Sequence, residues 1–80
     1  MRISDAVVER ILCLCNERGL TINKISNIAG ITQSTISDIV NHKTRNAGIA
    51  TIKKLCDGFD LSIRDFFNDP IFDNLEQEIE

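Results

Sequence analysis

Apolar residues recur along this chain at three- and four-residue intervals, in short blocks separated by glycine, proline and capping residues, which is the pattern of helices that each bury one stripe. In the first block Val8, Ile11, Leu12 and Cys15 form an i, i+3, i+4, i+7 stripe, widened by Val7 and Leu14. Ser4 stands where an N-cap belongs, Asp5 is favourable in the first turn, and Gly19 ends the helix. Glu9, Arg10, Glu17 and Arg18 fall on the face left to solvent.

The second block opens on Thr21 as N-cap and places Ile22, Ile25, Ile28 and Ala29 on one buried stripe. Ala29-Gly30-Ile31-Thr32 then combines a small residue, a glycine able to take positive φ, an apolar residue and a capping hydroxyl, so one helix ends and another begins two residues later. The new helix, over 33–41, buries Ile36, Ile39 and Val40 and leaves Gln33, Ser34, Thr35, Ser37 and Asp38 on a polar face. Gly48 caps a fourth helix from Ile49 to Phe59, with Ile49, Ile52, Leu55, Cys56 and Phe59 inward and Lys53 and Lys54 outward. Ser62 caps a short fifth helix with Asp65 at its third position, and Leu61, Ile63, Phe66 and Phe67 complete the core. Asp69 and Pro70 then restart the chain as cap and first helical residue, and Ile71, Phe72, Leu75 and Ile79 follow at helical spacing among acids.

An all-α fold follows: five helices over residues 1–68, with a short, acidic amphipathic helix or tail over 69–80. Its size allows one domain with a modest aliphatic core. No apolar run reaches membrane-spanning length and no signal-peptide h-region is present, so the expected compartment is the cytoplasm. Three cysteines agree: Cys13 and Cys15 point to different faces and Cys56 is distant, which implies buried thiols at Cys15 and Cys56 and an exposed one at Cys13. Together with His42 they lack the close ligand pairs of a zinc site, and neither metal nor cofactor is expected. Nor does any spaced carboxylate pair or nucleophile with a base suggest an enzyme.

The net charge of −3 disfavours a polyanionic partner, but the charge is unevenly placed. Residues 1–56 carry eight basic against four acidic side chains, whereas residues 57–80 carry Arg64 against eight acids. With a Debye length of ~8 Å at physiological salt, the basic half can meet an anionic surface if the acidic end points away.

Several residues together carry a resemblance. They are Arg18-Gly19-Leu20-Thr21, the framework of Ile25, Ala29, Gly30, Ile36 and Ile39, the helix start Thr32-Gln33-Ser34-Thr35, and Asn41-His42-Lys43-Thr44. In this order and spacing they resemble the helix-turn-helix domains of the lambda repressor and Cro type, also called the xenobiotic-response-element family, over residues 3–68. Members usually have Ala where Ser26 stands and Gly where His42 and Asp60 stand; Ser26 is small enough for close helices, and His42 must take left-handed backbone.

The resemblance implies a double-stranded DNA partner, with the helix at 33–41 entering the major groove by its N-terminus. Gln33, whose amide can donate and accept together, suits adenine; Ser34 and Thr35 suit a base, a thymine methyl or a phosphate, and Asp38 suits cytosine or, equally, is an exposed acid that repels wrong sequences. Thr21, Thr32, Lys43, Thr44, Arg45 and Asn46 are the expected phosphate contacts. In several relatives a second glutamine braces the first, and this chain has Ile22 at that place. One small domain binds DNA weakly, so a homodimer on two half-sites is implied, with Phe72, Leu75 and Ile79 as dimerisation candidates; the alternative for this amphipathic segment is docking on its own domain. The functional expectation is a transcriptional repressor of the phage or mobile-element sort. The alternative is a protein-interaction module, an antitoxin or adaptor, that grips a partner protein through the acidic C-terminal half.

Overall fold

The chain folds as five α-helices and one 3-10 turn: α1 Ile3–Arg18, α2 Ile22–Ala29, α3 Gln33–Val40, α4 Ile49–Phe59, α5 Ile63–Phe67 and the turn Pro70–Phe72. This computed structural model describes residues 1–44 and 46–79, and among them there is no strand and no helix long and apolar enough to cross a membrane. Local chemistry sets most boundaries. Thr21, Thr32, Ser62 and Asp69 each accept a backbone N–H at the start of an element, and Gly19, Gly30 and Asp60 end α1, α2 and α4 in left-handed backbone.

The first helix starts earlier than its sequence suggests. Arg2, not Ser4, is the N-cap residue, and the Asp5 carboxylate accepts the Arg2 N–H at 3.4 Å. An acid at the third helical position thus does the work expected of a serine before it.

Ile11, Leu14, Ile25, Ile36, Leu55, Cys56 and Phe66 form the centre of the core, each at most 2% exposed. The α2 and α4 helices approach most closely at Gly58, where an added Cβ would lie 3.1 Å from Ile25 Cδ1 and 3.2 Å from Ala29 Cβ. Cys15 and Cys56 are buried and Cys13 is exposed, all three as free thiols, and burial pushes the Cys15 and Cys56 thiols above their ordinary range.

Four apolar residues assigned to the core face outward, among them Ile63, the first residue of α5, which is 39% exposed. Leu12 is 45% exposed, and it lies about 160° round α1 from Arg10, the residue that meets the C-terminal turn through Asp69. Ile28 lies about 100° round α2 from Ala29 and is half exposed, and Ile49, the first residue of α4, is largely exposed. Arg10, assigned to the solvated face, turns inward on the flank that the turn covers: its Nε donates to Phe66 O at 2.7 Å and its guanidinium to Asp65 O at 3.0 Å and Asp69 Oδ2 at 3.3 Å. One arginine therefore satisfies the carbonyls at the end of α5.

Of the helix or tail expected at the C-terminus, the chain forms a 3-10 turn followed by a tail. Helical backbone ends at Phe72, which packs on Phe66 and Phe67 at centroid separations of 6.4 and 5.0 Å, and residues 74–79 continue irregularly toward the N-terminus. The Phe72 contact takes up the apolar residue that a continued helix would have aligned with Leu75 and Ile79.

Candidate nucleic-acid interface

The turn between α2 and α3 is built from Gly30, with φ 69°, followed by Ile31, whose side chain is buried. Ser26 is fully buried, and its hydroxyl donates to Ile31 O at 2.6 Å, clipping α2 to the residue that leads into α3. A residue chosen for smallness alone would pack here. Serine also fixes the turn, since a buried carbonyl left without a partner would be costly.

At the start of α3, Thr32 Oγ1 accepts the Thr35 N–H at 3.3 Å and donates to Thr35 Oγ1 at 2.9 Å. That network presents Gln33, Ser34 and Thr35 as exposed side chains on the first turn, with Asp38 exposed one turn later. Ile36 and Ile39 beneath them are buried and hold the face outward.

Gln33 does not lack a brace. Its Nε2 donates to Asn23 Oδ1 at 2.9 Å, so the partner comes from the residue after Ile22, in the first turn of α2. One N–H is spent in this bond, while the other N–H and Oε1 remain for a ligand. Sequence spacing alone missed this because the pair joins two helices ten residues apart. The available signal was a polar residue two positions past the α2 cap, on the exposed face of its first turn.

The remaining expected contacts gather beyond the C-terminus of α3. His42 takes left-handed backbone, φ 59°, and the N–H groups of Lys43 and Thr44 both donate to Asp38 O, at 2.8 and 3.3 Å, turning the chain back along α3. The Asn46 N–H donates to Thr44 Oγ1 at 3.2 Å. As a result Thr35 and Asp38 share one open, largely polar cleft with Thr44, Asn46 and Thr51 of α4, a residue the sequence did not single out. Lys43 is exposed at the cleft's end of the chain reversal, and Thr21 is exposed at the N-terminus of α2. Arg45, expected beside them, lies outside the described residues.

His42 also has a partner that is far away in sequence: its Nδ1 stands 3.1 Å from Asp5 Oδ1, which ties the end of the recognition segment to the first turn of α1. Among the described residues no group of three or more His, Cys, Asp or Glu side chains comes together as a metal site. The other dimerisation candidates differ in placement, with Leu75 half-buried and Ile79 85% exposed.

This arrangement is that of a helix pair presenting the N-terminus of its second member, and comparison with known proteins agrees. The solved structure titled "Crystal structure of the prophage Lp1 protein 11" superposes with a TM-score of 0.82 at 30% identity, covering 94% of this chain and 100% of that one. Comparison with curated protein sequences gives no significant match. The Cro/C1-type HTH DNA-binding domain family matches residues 10–70, a span holding both helices of the motif and the segment that follows them. By that match the chain belongs to the Cro/C1-type HTH DNA-binding domain family and is a DNA-binding regulator of transcription.

Proposed function

We propose that the chain is a sequence-specific repressor of the phage or mobile-element sort, which binds double-stranded DNA as a homodimer with α3 in the major groove of each half-site. The observation that carries this reading is the Gln33–Asn23 hydrogen bond, which holds the carboxamide at the exposed start of α3 with one donor and one acceptor unspent. Those two groups match N7 and N6 of adenine. Ser34, Thr35 and Asp38 supply the further base contacts, and Thr21, Thr32, Lys43, Thr44 and Asn46, with Arg45, grip the flanking phosphates. A second copy at the C-terminal half is supported by the exposed Ile79 side chain, apolar surface that the segment keeps whether or not it is folded back on α1. The fold relative's prophage origin fits a regulator of that kind.

Selection of bound duplexes from a random library tests the reading. The wild-type chain is expected to enrich a pseudo-palindrome with half-sites about 10 bp apart, or a multiple of that spacing. Gln33→Ala should relax preference at one base pair, costing about 1–3 kcal/mol of discrimination there. Asn23→Ala should relax the same position less. Binding that is absent, or weak and indifferent to sequence, would overturn specific recognition and favour an adaptor that holds a protein partner through the acidic half.

A further inference from the structure

Beyond Phe72 the chain crosses back over the start of α1. The Glu76 N–H donates to Met1 O at 3.0 Å, Glu76 Oε2 stands 3.0 Å from the Met1 amine, and Glu78 Oε1 stands 3.3 Å from the Arg2 guanidinium. Arg2 immediately precedes a helical turn that borders the segment after α3. Ile3 and Ser4 line one cleft with Thr44 and Asn46, and the Asp5–His42 pair closes the same junction. A carboxylate-rich segment is thus held on the residue that precedes Ile3 and Ser4, which share a cleft with two of the side chains assigned to phosphate.

The two ends of this segment are held very differently. At its start Phe72 is seated among aromatic rings, and Asp69 is tied by Arg10. At its far end the holds are the single Glu76 N–H bond to Met1 O and ion pairs between half-exposed groups, and Ile79 buries almost nothing. Exposed ion pairs of this kind contribute little and weaken further with salt. Anchored at one end and loosely tied at the other, the segment is built to detach.

We infer that residues 74–79 form a releasable acidic strap that competes with DNA phosphates for Arg2, an autoinhibitory contact built into the fold. With the strap closed, Glu78 neutralises Arg2, and Glu76 and Glu78 add negative charge that opposes an approaching phosphate, an effect screened over ~8 Å at physiological salt. When DNA binds, the strap lifts and Arg2 joins Lys43 in the phosphate grip. The inference rests on the DNA binding proposed above.

The test is anisotropy of a labelled 20-bp duplex at ~50 and ~200 mM salt. The proteins are the full chain, Glu76→Gln with Glu78→Gln, Arg2→Ala, and the triple variant, each checked for an unchanged helical circular dichroism signal. The glutamine pair should bind about threefold to tenfold tighter at the lower salt, and that advantage should shrink at the higher salt as the strap's own exposed ion pairs are screened. On the Arg2→Ala background the same pair should gain less than about twofold. Equal affinities for the wild type and the glutamine pair would overturn the strap and leave DNA binding intact. A full gain without Arg2 would also overturn it, because the carboxylates would then act as a general field. If no variant binds duplex at either salt, the DNA-binding reading falls and the strap falls with it.

Discussion

Two residues without glycine's conformational freedom occupy left-handed backbone, His42 and Asp60, each with φ 59°. His42 has compensation in its contact with Asp5. Asp60 has less: its exposed carboxylate sits at the C-terminus of α4, where the helix dipole disfavours negative charge. Left-handed backbone costs a non-glycine residue roughly 1–2 kcal/mol, and glycine gives back about 0.5–1 kcal/mol through its greater freedom when unfolded. Asp60→Gly is therefore expected to stabilise the fold by about 0.5–1 kcal/mol, a rise in Tm of about 2–8 °C for a domain of this size. Thermal unfolding followed by circular dichroism measures it, and a lower Tm would mean that the Asp60 side chain supports the cap. Gln33 poses the opposite case, an exposed side chain restrained by Asn23 for a purpose outside the fold.

Helix α4 carries a glycine in its interior, which lowers helix propensity by roughly 1 kcal/mol relative to alanine. Gly58 sits where α2 is close: an added Cβ would stand 3.1 Å from Ile25 Cδ1 and 3.2 Å from Ala29 Cβ, tight enough that these neighbours must give by a few tenths of an ångström, with the Ala29 Cα at 3.4 Å. The terminal methyl of Ile25 can yield, but the Ala29 backbone can move only with α2 itself, and α2 is clipped to the turn by Ser26. Overpacking at about 1–3 kcal/mol outweighs the gain in propensity. Gly58→Ala is expected to destabilise by about 1 kcal/mol net, read from the midpoint of urea unfolding. A more stable variant would show that the α2 and α4 helices separate freely. The same contact places α2, and with it Asn23, against the core that supports α3.

Across the whole molecule, Arg10 joins the ends of the chain. From α1 it reaches Phe66 O and Asp65 O at the close of α5 and the carboxylate of Asp69, with its side chain only 11% exposed. Hydrogen bonds from a charged donor contribute roughly 1.5–3 kcal/mol, and losing this one strands Phe66 O, while Asp65 O keeps the Asn68 N–H and Asp69 the Ile71 N–H. Arg10→Ala is expected to cost about 2–3 kcal/mol in urea unfolding, and Arg10→Lys should restore little, since an ammonium cannot reproduce three bonds from one planar fork. A cost below about 0.5 kcal/mol would mean that the C-terminal turn stays in place without it. Charge is also organised at this scale. The acidic half does not simply point away from the basic one, because Glu76 and Glu78 fold back onto Met1 and Arg2.

Helices, caps and the α2–α3 turn were legible because each depends on neighbours within about four residues: a hydroxyl before a stripe, a glycine after it, a period of three or four. Resemblance in those same residues pointed to the Cro/C1-type family, and the match over residues 10–70 agrees with it. The width of each buried face was not legible, since periodicity gives the direction of a stripe but not which flank another element will cover. Hence Leu12 and Ile28 face solvent and Arg10 does not. At the candidate site, Gln33 and its exposed neighbours follow from position on a helix, whereas its brace from Asn23, the His42–Asp5 contact and the cleft shared by Thr35 with Thr51 join separate elements. The sequence by itself determined which segments are helical, where they turn and which face of α3 is polar, because these are local backbone preferences. Only the tertiary structure decided what braces Gln33, what Arg10 holds and where the acidic tail goes, because those bonds depend on groups brought together by packing.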